Sequence, residues 1–159
     1  MIPIKWKIYR IINYLLLISG ALLFLRFFQL SIGYSYQVFA LLTSLIFFCM
    51  VLQSLINLMV MVKTFPDKIL TGAKNRWHII ATILNFISLA GITYDCSSLL
   101  SEMAEFPDEK ALIILLLIMI AFILSLLFVF ICQLTLKRYL HRTNLTVMRS
   151  MIDSIGSEE

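Results

Sequence analysis

Charged residues are scarce in this sequence. Asp, Glu, Lys and Arg together make up 14% of the 159 residues, whereas about a quarter is usual in a soluble domain. Hydrophobic residues make up 61%, and the mean hydropathy is +0.97. The core of a soluble domain of 159 residues cannot bury so many apolar side chains. The composition therefore excludes an ordinary soluble domain. It predicts an integral membrane protein with the lipid bilayer as its first partner.

Residues that carry chemistry are also few. The three cysteines, Cys49, Cys96 and Cys132, show no CxxC spacing, which argues against a disulfide framework and a zinc site. His78 and His141 fall at the predicted inner interface without a neighbouring cysteine or carboxylate, so we interpret them as interfacial residues. No motif of a metalloprotease, a serine hydrolase or a nucleotide-binding loop occurs. The sequence therefore predicts no enzyme activity, no catalytic residue, no metal site and no cofactor.

Four apolar segments are long enough to cross a bilayer, which takes roughly 20 helical residues. They cover about residues 8–27, 38–62, 77–100 and 108–136. Because the connections are short, neighbouring helices are expected to run in opposite directions. The predicted fold class is all-α: a polytopic membrane protein with an antiparallel four-helix transmembrane bundle in residues 1–136.

The first segment has two interpretations. Lys5, Lys7 and Arg10 precede an apolar run that contains small residues at 19–21, which is the pattern of a cleaved signal peptide. The apolar run continues beyond these small residues through Leu25, however. This continuation favours an uncleaved first span.

The basic residues lie mostly on one side of the predicted bundle. Of the 13, 11 lie before the first span, between the second and third, or after the fourth; only Arg26 and Lys110 fall on the other side. The positive-inside rule then predicts a multi-pass protein with both termini in the cytoplasm. The compact chain and the absence of an organelle signal favour the cytoplasmic (inner) membrane. Since the net charge of +4 is explained by topology, we expect no nucleic-acid partner.

Residues 137–159 form a polar tail with a helical pattern. Apolar side chains recur near helical spacing, and charged ones lie elsewhere on the helical wheel. The pattern predicts a cytoplasmic amphipathic helix that either continues the fourth span or lies on the membrane surface, where it anchors the protein or docks a partner. The apolar positions are Leu140, Val147, Met148, Met151, Ile152 and Ile155.

Apart from Asp108 and Glu109 at the start of the fourth span, Asp95 is the only acidic residue in any predicted span. A carboxylate inside a membrane is costly unless it faces protein, water or a partner charge. Arg26 lies at a similar depth, because each residue is equally far from the inner end of its span. We hypothesise that Arg26 and Asp95 form an ion pair or share a water-filled outer vestibule. The alternatives are that each reaches the outer headgroups separately, or that a partner subunit supplies the opposite charge.

Four amide side chains lie toward the inner ends of the spans: Asn13, Gln53, Asn57 and Asn85. Amides hydrogen-bond between helices where no water competes, so we interpret them as contacts that join the helices. The alternative is a polar lining for a small solute or an ion. Together with Arg26 and Asp95, these four form the candidate intramembrane polar network.

The leading functional prediction is a non-enzymatic accessory or assembly subunit, or a homo-oligomer, that acts through helix–helix contacts. Its partners would be another membrane protein or a second copy of the chain. The first alternative is a small transporter or channel whose polar path is lined by Arg26, Asp95, Asn85 and Gln53. The second is a membrane immunity or stress protein.

Overall fold

The computed structural model describes residues 4–33, 37–61, 72–105 and 110–156, and all of these are helical. Their side chains are described at 6–32, 38–60, 75–101, 110 and 112–135. There are four long helices in this part of the chain, together with one short π-helical segment that directly follows the second. The helices are α1 (Ile4–Gly33), α2 (Gln37–Ile56), α3 (Gly72–Glu105) and α4 (Lys110–Gly156), and the π-helical segment is Asn57–Met61.

Each long helix contributes a stretch that is long and apolar enough to cross a membrane. The prediction of an all-α chain with four such helices is therefore confirmed for the described residues. Most of each stretch is not buried by the other helices. The four stretches are Trp6–Ile32, Val38–Val60, Asn75–Ser101 and Leu112–Thr135.

Three helices extend beyond the predicted spans. α1 continues through Gly33, because residues 27–32 contain neither glycine nor proline to end it. α3 begins at Gly72, before its apolar stretch, since lysine and arginine form helices as readily as most apolar residues do. α4 runs unbroken to Gly156, so its backbone includes residues 137–156 of the predicted tail. The cytoplasmic location of that tail stays a prediction.

The helices pack in a closed order, with α1 on α2, α2 on α3, α3 on α4, and α4 back on α1. Between α1 and the helical residues 37–61, contact positions that rise along one stretch fall along the other. Asn13 of α1 meets Asn57, for example, and Phe27 of α1 meets Phe47. The central apolar cluster is formed by Tyr9, Leu16, Phe47, Met50, Ile92, Leu126 and Val129.

Two glycines allow neighbouring helices to approach closely. A Cβ atom on Gly20 would lie 2.7 Å from the side chain of Met50, and one on Gly91 would lie 2.5 Å from the side chain of Ile46. Real Cβ atoms do not come so near to other atoms. Small residues at helix contacts are the usual means of close packing between helices in membranes, and here they bring α2 against both α1 and α3.

Candidate functional site

A chain of amide side chains crosses the interior of the bundle. Asn13 Nδ2 donates to the backbone carbonyl of Tyr9 at 2.8 Å, within α1. Asn13 Oδ1 accepts from Asn57 Nδ2 at 2.9 Å. Asn57 Oδ1 in turn accepts from Gln133 Nε2 of α4, also at 2.9 Å. This chain therefore ties α1, the π-helical segment and α4 together through side-chain amides alone.

The third helix joins the same chain. Asn85 Nδ2 of α3 lies 3.4 Å from Gln133 Oε1 and 3.4 Å from the backbone carbonyl of Leu126. Asn13, Asn57, Gln133 and Asn85, which we call the amide chain, are each at most 1% exposed. Hydrogen bonds that share members in this way polarise and strengthen one another, especially where no water competes.

Asn57 occupies a special backbone position, because it is the first residue of the π-helical segment. Single π-helical turns within α-helices are rare and occur often at functional sites. The wider turn begins where one side chain must reach both Asn13 of α1 and Gln133 of α4. The irregular backbone and the central link of the amide chain thus coincide.

His78 provides a second link between α3 and α4. Its Nε2 lies 3.1 Å from the backbone carbonyl of Gln133, and the side chain is 2% exposed. Since a carbonyl oxygen only accepts, Nε2 carries the proton in this hydrogen bond. The hydroxyl of Thr82 donates to the backbone carbonyl of His78 at 2.8 Å, one turn along the same helix.

Gln53 and Ser54 lie one turn before Asn57 and are fully buried. Neither the Gln53 amide nor the Ser54 hydroxyl makes a hydrogen bond within the described part of the chain. A buried polar group without a partner costs about 1–3 kcal/mol. Gln53, which the sequence assigns to the polar network, is therefore buried beside the amide chain without a bond to it.

Asp95 lies at the opposite end of the bundle, where α1 and α3 end and α2 and α4 begin. Its side chain is 9% exposed, and its Oδ2 accepts from the Thr43 hydroxyl at 3.5 Å, a long hydrogen bond. It lines a cavity of about 280 Å³, which we call the acidic cavity. All four helices contribute to its walls, through Leu23, Phe27, Phe39, Thr43, Phe47, Ile92, Asp95, Ser98, Leu99, Leu115, Ile118, Met119 and Phe122.

A second cavity lies on the side of Asp95 that faces away from the interior of the bundle. This groove between α2 and α3 has a volume of about 310 Å³ and shares Phe39, Thr43 and Asp95 with the acidic cavity. We call it the α2–α3 groove. Its rim includes Leu42 and Tyr94, which are well exposed on the outside of the bundle. Asp95 thus lies between the interior of the bundle and its outer surface.

Arg26 is exposed and lines neither space. Among the described residues it makes no ion pair with Asp95, whose hydrogen bond there is with Thr43. The hypothesis that the two share a water-filled vestibule stays a prediction.

Sequence reasoning found three members of the amide chain and missed the fourth. Asn13, Asn57 and Asn85 belong to the predicted inner polar group, and the structure brings them together through Gln133. The predicted group does not include Gln133, which is an isolated amide in a largely apolar segment. The signal that could have found it is that isolation, since a polar side chain in a membrane helix usually faces protein.

The described residues offer little to a metal ion, since no three of their His, Cys, Asp and Glu side chains come together. What they hold instead is an amide chain at one end of the bundle and a carboxylate in an apolar cavity at the other. No protein family, curated protein or solved structure matches this chain.

Proposed function

We propose that this chain is an integral membrane protein whose four helices cross the bilayer as an antiparallel bundle, with both termini in the cytoplasm. The rising and falling contact positions between neighbouring helices support the antiparallel order. The apolar exposed faces support the location in lipid, because only 11% to 39% of an 18-residue apolar window in each membrane-length stretch is buried. In this orientation the amide chain lies toward the cytoplasm and the acidic cavity toward the outside.

Within the membrane, the protein acts as a small non-enzymatic transporter. The observation that carries this proposal is the Asp95 carboxylate on the wall of a cavity shared by all four helices. An acidic residue in a membrane helix is costly unless it faces water or a partner. Asp95 lies six residues before the end of its membrane-length stretch rather than at the centre, but its side chain is only 9% exposed. One long bond from Thr43 offsets little of that cost. A carboxylate kept under these conditions is best explained by a ligand that it binds.

One end of the bundle has a cavity and the other is closed, as transport by alternating access requires. A solute site lies at one end, while at the other the amide chain joins the helices across the interior. A transporter exposes its site to one side of the membrane while the other side is closed. A permanently open channel is disfavoured, because its path would have to pass through the amide chain.

Uptake into proteoliposomes tests this proposal with a panel of cationic, neutral and anionic solutes. We expect transport of at least one class, and we expect it to fall strongly in Asp95→Asn and in Leu99→Trp, which fills the acidic cavity. Phe86→Trp is the matched control for the added bulk, because Phe86 lies on the exposed face of the same helix. Absence of uptake for every solute, or uptake that neither cavity variant lowers, would contradict the proposal.

A second function, homo-oligomer formation through α4, is favoured by a different observation. Within an apolar window of 18 residues, only 11% of α4 is buried, against 39% of the window that begins in α2. Its exposed side chains include an unbroken series spaced alternately by four and three residues, which is the pattern of a coiled-coil seam. The series is Ile113, Leu117, Ile120, Leu124, Leu127, Ile131 and Leu134.

Disulfide crosslinking tests the oligomer. The three native cysteines are first replaced, and single cysteines are then placed at Leu117 and Leu124 of the seam. We expect crosslinked dimers from both seam positions and none from Ile114, which is equally exposed but outside the series. Equal crosslinking from all three positions would indicate random collision and refute the seam.

A further inference from the structure

We propose that the site at Asp95 binds an organic ammonium ion: an amine or quaternary ammonium that carries a small apolar group. This inference rests on the proposed function, because it assigns a ligand class to the same cavity. Charge is the first reason. No other acidic side chain and no basic one lines the acidic cavity or the α2–α3 groove among the described residues. The Asp95 carboxylate is thus a negative group without a counter-ion from the described chain.

The second reason is the nature of the walls. Phe27, Phe39, Phe47 and Phe122 line the acidic cavity together with Asp95. Aromatic faces attract ammonium groups through their quadrupoles, and quaternary ammonium ligands are commonly held by such rings. The aromatic walls can therefore attract an organic ammonium ion, which needs no hydrogen-bond acceptor beyond the one carboxylate.

A metal cation fits this site poorly. The polar side chains on the cavity wall are Thr43, Asp95 and Ser98. Hard cations such as Ca²⁺ require about six to eight oxygen ligands, and the described residues contain no cluster of acidic, histidine or cysteine side chains that could hold a metal. An organic cation brings its own apolar surface and therefore suits a cavity of this composition.

The volume of the acidic cavity and the route by which it can be reached restrict the class of ligand further. The acidic cavity, at about 280 Å³, lies just below the range of about 300–1,000 Å³ that is typical of sites for drug-sized ligands. The adjoining α2–α3 groove reaches the outside of the bundle between exposed residues such as Leu42 and Tyr94. A cation with one small apolar group can therefore enter from the bilayer and place its charge at Asp95.

The test compares three probes of similar shape on the full-length protein in lipid nanodiscs. They are phenyltrimethylammonium, its neutral carbon isostere tert-butylbenzene, and the anion benzenesulfonate. Equilibrium dialysis with labelled probes measures binding. We expect the cation to bind at least about tenfold more tightly than the neutral isostere, a difference of about 1.4 kcal/mol, and the anion not to bind.

Three variants connect the binding to the site. Asp95→Asn is expected to weaken binding of the cation about tenfold or more, and Asp95→Glu to retain most of it. Phe39→Leu removes one aromatic face and is expected to weaken binding about threefold to tenfold. Phe86→Leu, on the exposed face of α3, is expected to leave binding unchanged. Circular dichroism and thermal unfolding of each variant identify losses that are due to misfolding.

Equal binding of the cation and its neutral isostere would overturn the inference, as would cation binding that neither Asp95→Asn nor Phe39→Leu weakens. The uptake assay separates this failure from that of the proposed function. Uptake of another solute that depends on Asp95, without cation binding, would refute the ligand class and leave transport standing. Cation binding at Asp95 without uptake of any solute would refute transport and leave the ligand class standing.

Discussion

Replacing Gln133 should disturb two helix–helix contacts of the bundle through a single side chain. This side chain donates to Asn57 at 2.9 Å and accepts from Asn85 at 3.4 Å, so Gln133→Leu removes two hydrogen bonds between helices. Such bonds in membrane proteins average about 0.6 kcal/mol. The change also leaves Asn57 Oδ1 buried without its donor, which costs about 1–3 kcal/mol. We expect a total loss of about 2–4 kcal/mol in the free energy of unfolding.

A double-mutant cycle makes this estimate specific. Asn57→Leu alone should cost a similar amount, because it leaves Gln133 Nε2 and Asn13 Oδ1 without their partners. The double variant should cost about 1–2 kcal/mol less than the sum of the two, since removing both partners leaves fewer buried groups unpaired. The control cycle pairs Gln133→Leu with Ser19→Ala, whose hydroxyl bonds only within α1.

Unfolding in mixed dodecyl maltoside and SDS micelles, followed by far-UV circular dichroism, supplies these free energies. The control cycle should be additive within about 0.5 kcal/mol. If the cycle between Asn57 and Gln133 is additive within the same margin, the two side chains are not coupled. The amide chain would then have no energetic role.

Three further predictions concern other parts of the chain. Gly91→Ala should destabilise the protein by about 1–3 kcal/mol, because the new Cβ would lie 2.5 Å from the side chain of Ile46. Adding Ile46→Val should recover part of this loss in the same unfolding assay. A neutral effect of Gly91→Ala would contradict the close packing of the two helices. His78→Leu should cost about 0.5–1.5 kcal/mol, because it removes one hydrogen bond between α3 and α4 while the Gln133 carbonyl keeps its helical N–H donor within α4. A loss well below about 0.5 kcal/mol, the margin for an ordinary surface change, would mean that this hydrogen bond contributes little. Single cysteines at Lys74 and Arg142 should both react with a membrane-impermeant thiol reagent only from the cytoplasmic side, and labelling from opposite sides would refute the proposed topology.

The number of membrane-length helices and their approximate positions could be predicted from the sequence, because both depend on the length of apolar runs along the chain. An apolar run of sufficient length is helical whichever neighbours it meets, since its backbone must satisfy its own hydrogen bonds in lipid. The ends of the helices could be predicted less well from the sequence. The apolar pattern places the end of the first span near residue 27, whereas the helix continues to Gly33, the first residue in that region that favours an end.

The candidate site could be predicted only in part, for a geometric reason. Depth along a helix follows from counting residues, so Asn13, Asn57 and Asn85 could be grouped. Rotation about the helix axis could not be derived, because spans that are apolar on all sides carry no periodic signal. Arg26 therefore could not be assigned to the exterior, and only the isolation of Gln133 in its segment points to the interior. The acidic cavity depends on how phenylalanine side chains from several helices pack, which no spacing in the sequence reports.

The hydrogen bonds of the amide chain all run in one donor-to-acceptor direction, which is set by the acceptor at one end. The backbone carbonyl of Tyr9 can only accept a proton, so the amide of Asn13 must turn its nitrogen toward it. Asn13 then presents oxygen to Asn57, and each later amide is obliged to face the same way, back to Asn85 in α3. Asn13, Asn57 and Gln133 cannot rotate by half a turn without breaking contacts on both of their sides. A carbonyl near the beginning of α1 thereby orients a row of dipoles that spans the whole width of the molecule.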